Sequence, residues 1–171
     1  IEEPDGRWTR APANFRADVE RLIAEGYYPI NLIDLARGQI DVPAGKTPIV
    51  LTFDDSSSGQ CRFLDDGTTF DPNSACGILL EMARLYPDDW RPRATFFILL
   101  DVDVPDRVVF GQPDLAEKKL QDMVASGFEI GSHTVSHFRL DQGTVDEVHW
   151  QLANAAARIE AMVPGYEINS L

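Results

Sequence analysis

The sequence predicts an α/β fold of parallel strands, arranged as a sheet or a barrel. Three observations predict it. β-prone runs alternate with stretches of helical periodicity. Two of the runs, Ile49-Val50-Leu51-Thr52-Phe53 and Ala94-Thr95-Phe96-Phe97-Ile98-Leu99-Leu100, are nearly continuously apolar, as expected of strands buried on both faces. The residues best equipped for chemistry, Asp54-Asp55 and His133 with His137, come just after predicted strands, the histidines beyond a Gly131-Ser132 break, and active sites of parallel α/β folds gather at that end.

Residues 1–13 are polar, carry Pro4 and Pro12, and read as an extended lead-in. Asn14 is placed to cap a helix running to Glu25 with Phe15, Val19, Leu22 and Ile23 on its apolar face, stopped by Gly26. A short helical turn over 32–37 ends at Gly38, and Pro43, Gly45 and Pro48 punctuate a loop. The first strand, 49–53, leads into a Ser/Gly/Asp-rich loop from Ser56 to Pro72. Asn73 or Ser74 starts a helix carrying Ala75, Ile78, Leu79, Met82 and Leu85. After the second strand, a helix opens at Pro113, holds Leu115, Leu120, Met123 and Val124, and stops at Gly127. Phe128-Glu129-Ile130 is a short third strand, followed by a Gly131-Ser132 break. Thr144-Val145-Asp146-Glu147 is a capping-box pattern that starts a last helix reaching Val163.

With 171 residues the chain is long enough for one domain with a real core, and no repeat or linker divides it. Three strands and this length fall short of a complete eight-stranded barrel, so an incomplete barrel is expected. The balance of 28 acidic against 15 basic residues gives a formal charge of -13, which argues against nucleic acid or an anionic membrane surface as partner. A neutral polymer or small molecule fits better. No apolar run is long enough to span a membrane, and no signal peptide is visible. Cys61 and Cys76 are compatible with one disulfide or with two free thiols, and their spacing is not that of a metal site.

Adjacent strand residues point to opposite faces, so Asp54 and Asp55 can serve one site only where the strand has ended, as Ser56-Ser57-Ser58-Gly59 indicates. His133 and His137, read as one helical turn apart, share a face. Two imidazoles and one carboxylate suit Zn²⁺ or a neighbouring transition ion and leave coordination positions open, while the second carboxylate is placed to act as a base. A solitary His-x-x-x-His is common on surface helices, and a solitary Asp pair often only solvates a loop. Both on one rim make a metal site the better reading. Ser56, Ser57 and Ser58 lack the Gly-x-Ser-x-Gly surroundings of a nucleophile.

These residues resemble the polysaccharide deacetylases of the NodB-homology type, carbohydrate esterase family 4. Leu51-Thr52-Phe53-Asp54-Asp55 is similar to that family's first motif, Ala94-Thr95-Phe96-Phe97 to its second core strand, and the stretch Gly127 to His137 to its second motif with the strand before it. The segment from Asn14 to Pro29 is similar to its lead-in, so the resemblance covers residues 14–163. It implies a distorted (β/α) barrel of the deacetylase type, incomplete at its C-terminus, with residues 14–171 forming the N-terminal portion of a single domain. It also implies extracytoplasmic, metal-dependent hydrolysis of N- or O-acetyl groups on a polysaccharide such as chitin, peptidoglycan or xylan. By position, Asp54 is the expected base, and Asp55, His133 and His137 are the expected ligands of a divalent metal, Zn²⁺ before Co²⁺, Ni²⁺ or Mn²⁺.

The chain departs from the family pattern in three ways. Ser56 stands where the family has Gly, the Ser56–Pro72 loop with Asp65, Asp66 and Asp71 is an elaboration, and the later motifs are missing. Those motifs supply an Arg/Pro segment, an acidic/Trp segment and a His that acts as acid. Asp88-Asp89-Trp90 is superficially similar to the acidic/Trp segment but comes too early, and His149 reads as a helix-face residue. The alternatives are a metal-holding carbohydrate-binding module without catalysis, or a related hydrolase of another amide or ester. Asp101 and Asp103 read as solvated loop residues, and Trp8, Trp90 and Trp150 as core, interface or sugar-stacking residues.

Overall fold

The computed structural model describes residues 5–171; the first four residues of the expected lead-in, Pro4 among them, lie outside the described residues. The first helix, α1 (Pro12–Ala24), begins two residues before Asn14 because Pro12 takes the first turn, where its missing N–H costs nothing. Asn14 is not its cap; its amide instead donates to Asp5 Oδ2 at 2.7 Å. Asp5 Oδ1 accepts the Ala11 N–H at 2.7 Å. Val19 and Ile23 are buried, with Phe15 and Leu22 packed beside them, as the periodicity predicts.

The next element, β1 (Tyr27–Ile30), was not foreseen, since Pro29 argues against a strand interior. It is tolerated in a sheet of only two strands, where the Pro29 carbonyl is taken by Arg91 Nε at 3.1 Å. A short helix α2 (Leu32–Ala36) follows. The predicted strand over 49–53 is in fact two: β2 (Thr47–Val50) pairs in parallel with β1, and β3 (Thr52–Phe53) pairs in parallel with β4 (Thr95–Ile98). The chain passes from one sheet to the other at Leu51, whose carbonyl accepts the Thr95 N–H at 2.9 Å. Burial on both faces holds for β4, not for residues 47–53, where Thr47, Pro48 and Thr52 are exposed. The reason is position, because β2 and β3 are edge strands and β4 is central.

The third predicted strand is β5 (Glu129–Ser132), parallel to β4 in the register Thr95↔Glu129 to Ile98↔Ser132. Gly131 and Ser132 therefore extend the strand instead of breaking it. Gly131 has a packing reason, since a Cβ there would stand 2.6 Å from the Phe97 ring. The described residues thus form two parallel sheets, β1-β2 and β3-β4-β5, and no closed barrel.

Helix α3 (Ala75–Leu85) packs on α1, while α4 (Ala116–Ser126) and α5 (Val145–Met162) pack on β5 of the larger sheet and on each other. Ser74 caps α3 through the Gly77 N–H at 3.2 Å, and a Cβ on Gly77 would fall 2.1 Å from the Asp71 carbonyl oxygen. Pro113 opens a single 3₁₀ turn before α4, which ends at Gly127 with φ 102°. Thr144 and Glu147 form the expected capping box of α5. The core centres on Phe96, stacked on Phe53 at 4.7 Å and met edge-on by Phe128 and Phe110 at 5.4 and 6.1 Å. Each fully buried ring of this size contributes about 1.5–3 kcal/mol. Trp90 is buried among these residues, whereas Trp8 and Trp150 are exposed. Cys61 and Cys76 form a disulfide that ties the 56–72 loop to the start of α3. None of the helices is long and apolar enough to cross a membrane, among the described residues.

Candidate metal centre

Asp54 and Asp55 follow β3 directly. Asp55 (φ 70°) and Ser56 (φ 42°) both take the left-handed conformation, which is uncommon outside glycine and most accessible to Asp and Asn. Two successive residues of this kind turn the chain abruptly, so that both aspartates leave the alternation of the strand. Ser56 is fully buried. Its hydroxyl donates to the Arg107 carbonyl at 2.7 Å and accepts the Leu99 N–H at 3.0 Å, and its carbonyl accepts the Phe110 N–H at 2.8 Å. These bonds anchor the turn from behind and offset its backbone strain.

The imidazoles come from the other side. The His133 N–H donates to the Ile98 carbonyl at 3.0 Å, continuing the β4-β5 ladder by one residue. Residues 133–137 then form an irregular turn, not the helical turn expected, with Thr134 at φ 66° and His137 at φ 58°. The two rings still lie 5.0 Å apart. The turn is held from two directions. The Val135 carbonyl accepts N–H groups of Leu100 and Asp101 at 3.2 and 2.9 Å. Gln151, on α5, accepts the Val135 and Ser136 N–H groups at 2.9 and 3.2 Å and donates to Ser136 Oγ at 2.8 Å.

The strand ends bring Asp55, His133 and His137 together. Asp55 Oδ1 lies 3.4 Å from His133 Nε2 and 3.3 Å from His137 Nε2, and a ligand atom from each of the three lies within 4.8 Å of the others. The edge of a tetrahedron with Zn–N and Zn–O distances of about 2.0–2.1 Å is about 3.3–3.4 Å. Asp55 Oδ1 is also a buried oxygen without a hydrogen bond. A buried carboxylate oxygen without a donor is costly, and a cation removes that cost. The residues present therefore fit a divalent ion with N/O preference. Asp55 Oδ2 is held separately, 3.3 Å from Arg107 Nη1.

Asp54, the residue before Asp55, is exposed, with its backbone carbonyl bonded to Gln60 Nε2. Asp101 and Asp103 are exposed loop residues, and His149 is exposed on α5. Arg107, Gln151 and the hydroxyl of Ser56 escaped the sequence reading. Gln151 alone left a trace: it shares one helical stripe with Ala155 and Ile159, a polar side chain at a core position. A cavity of about 480 Å³, lined by Asn31, Asp34, Arg91 and Arg93 among others, is not at this site. Arg93 and Gly127, which also line it, precede β4 and β5, so it opens toward the opposite strand ends.

No curated protein matches the chain in sequence. Among solved structures, a Streptococcus pyogenes deacetylase, PplD, in complex with acetate, is similar over 100% of this chain and 66% of its own, at 20% identity and a TM-score of 0.66. The peptidoglycan deacetylase PdaC from Bacillus subtilis is similar over 74% of this chain and 48% of its own, at 26% identity and a TM-score of 0.45. The chain thus spans less than two thirds of the length of either. The first likeness shows a shared mixed α/β fold. The sequence model of the polysaccharide deacetylase family matches residues 88–170, a stretch that contains His133 and His137 and leaves Asp54 and Asp55 outside. The family resemblance read from the sequence is thereby shown: from residue 88 to residue 170 the chain matches the polysaccharide deacetylases.

Proposed function

We propose that this chain carries the metal-binding half of a deacetylase that removes N- or O-acetyl groups from a polysaccharide outside the cytoplasm. The observation that carries this reading is the convergence of Asp55 Oδ1, His133 Nε2 and His137 Nε2 at ligand-to-ligand distances that suit a small divalent ion. The match of residues 88–170 to the polysaccharide deacetylases supports it. Residues 14–171 then belong to one domain, the N-terminal portion of a distorted (β/α) barrel.

In this reading Asp55, His133 and His137 hold the ion, with Zn²⁺ favoured by the donor set. A divalent ion bound there supplies Lewis acidity, which favours ionisation of water and polarises an acetyl carbonyl. Asp54, next to the ligand Asp55 and open to solvent, takes the proton of the attacking water on its carboxylate. Arg107 fixes Asp55 Oδ2 and so leaves Oδ1 turned to the imidazoles. Gln151 and the Leu100 and Asp101 N–H groups hold the turn that aims His133 and His137. Water adds to the acetyl carbon, the bond to the sugar nitrogen or oxygen breaks, and acetate departs as the amine or hydroxyl gains a proton.

The test is acetate release from acetylated chitooligosaccharide, peptidoglycan and xylan by the whole protein with Zn²⁺ or Co²⁺. Release from any of the three is the expected result. Absence of release from all three, with the ion shown to be bound, would overturn the proposal. A second reading, a metal-holding sugar-binding module, draws on the make-up of the cluster, which among the described residues gathers Asp55, His133 and His137 and does not include His149. Sugar affinity without acetate release is its signature.

A further inference from the structure

A second seat adjoins the candidate metal centre. A cavity of about 320 Å³ lies between the start of α5 and the residue after His137, lined by Phe138, Asp146, Glu147, Trp150 and Gln151. That volume is at the small end of ligand sites and suits one ring-sized group. Trp150 is 53% exposed, a large apolar surface left in water. It neighbours Gln151, which grips the turn carrying both imidazoles, so the indole and the metal centre share one support. Glu147 spends Oε2 on the Thr144 N–H and hydroxyl, both at 2.8 Å, and the Thr144 bonds keep its carboxyl below the usual range. Its Oε1 and the whole carboxylate of Asp146 remain free acceptors among the described residues.

We infer that this cleft is a sugar subsite, in which a neutral pyranose of the polymer stacks on Trp150 and donates hydroxyl hydrogen bonds to Asp146 and Glu147. The inference rests on the deacetylase reading for its substrate, but not on turnover. A pyranose presents a C–H face to an aromatic plane and a rim of hydroxyl donors at its edge, which is the chemistry that this cleft offers. The two carboxylates exclude an anionic ring by like-charge repulsion. Contact between Phe138 and the sugar places the bound ring one residue from the ligand His137, so the seat positions the unit beside the one that reacts.

The experiment is calorimetric titration of the whole protein with N-acetylglucosamine tetramer, with the cation chelated and again with Zn²⁺. Trp150→Ala is expected to weaken binding roughly tenfold and Trp150→Phe less. Trp8→Ala, at an exposed indole on the N-terminal segment, leaves affinity unchanged, and a galacturonic acid tetramer binds more weakly than the neutral one. His133→Ala loses the ion and keeps the oligomer. Equal binding by wild type and Trp150→Ala, or no binding by wild type, would overturn the subsite. So would a fall in Tm without a fall in affinity, which marks Trp150 as covered by another protein segment. A protein that binds the oligomer through Trp150 but releases no acetate keeps the subsite and removes the deacetylase reading. Acetate release with KM indifferent to Trp150→Ala does the reverse.

Discussion

Gln151 and Val135 meet through one hydrogen bond of 2.9 Å, from the Val135 N–H to Gln151 Oε1, and it joins the helix α5 to the turn that presents both imidazoles. The same oxygen accepts the Ser136 N–H. Gln151→Ala strands the buried Val135 N–H and frees the part-buried Ser136 N–H, and is expected to cost about 1–3 kcal/mol of stability. The effect on the ion should be larger than on the fold, since removing an outer support of a metal site typically costs about 10–100-fold in affinity. Zn²⁺ titration and thermal unfolding of Gln151→Ala and Gln151→Glu check this. Glu keeps the acceptor and is expected to recover most of the loss.

Asp54 and Asp55 are adjacent but have separate expected roles. His133→Ala and Asp55→Ala should each abolish stoichiometric Zn²⁺ binding. Asp54→Asn should retain it and lose acetate release. Metal titration paired with an acetate assay on the whole protein separates these outcomes, and activity retained by Asp54→Asn would remove its role as base.

Lys119 is wholly buried on α4, with its ammonium donating to Gln112 Oε1 at 2.6 Å and lying 5.6 Å from the rings of Phe63 and Phe110. Burial lowers its pKa from 10.5 to about 8. The unfolded chain therefore binds more protons than the folded one between pH 8 and 10.5, and stability gains a rising component across that interval. Tyr166, whose hydroxyl is pushed up to about 12 by burial, acts in the opposite sense above its ordinary value of 10. Denaturant midpoints measured from pH 7.5 to 10 should show the rise in wild type and a flatter profile in Lys119→Met.

The disulfide closes a loop with a sequence separation of 15. In the chain-entropy account a loop of this size is worth about 3 kcal/mol. The paired substitution Cys61→Ser with Cys76→Ser should lower Tm accordingly. It should also weaken ion binding severalfold, because Gln60, next to Cys61, holds the Asp54 carbonyl and takes the Cys76 N–H at its own. Wild type treated with a mild reductant under native conditions should keep its Tm, as both cysteines are fully buried. Calorimetric scans of the two samples test both statements.

The features legible in the sequence are those written in local chemistry. The Thr144–Glu147 box, the Ser74 cap and the Gly127 stop each need only a few neighbouring residues, and each stands where the pattern puts it. The placement of Asp54, Asp55, His133 and His137 after strands was legible for the same reason. What escaped depends on residues far apart in the chain. The division of 47–53 at Leu51 follows from which strands stand beside it, not from its own composition. The turn conformation at Thr134 and His137 is imposed by Gln151 and by the end of β4. Arg107 reaches Asp55 from a 3₁₀ turn, Pro105–Arg107, 52 positions away, and nothing in its surroundings announces a partner.

Leu51 has one more consequence. The segment that delivers the aspartates is shared by two sheets, while the imidazoles belong to one. Phe53, stacked on Phe96, is the last fixed point before Asp54. A displacement of the smaller sheet reaches the carboxylates only through Leu51, and must first work against the β3-β4 pairing, the Phe53–Phe96 stack and the Ser56 bonds. The aspartates are thereby insulated from β1 and β2, so substitutions in those two strands should lower Tm with little change in ion affinity.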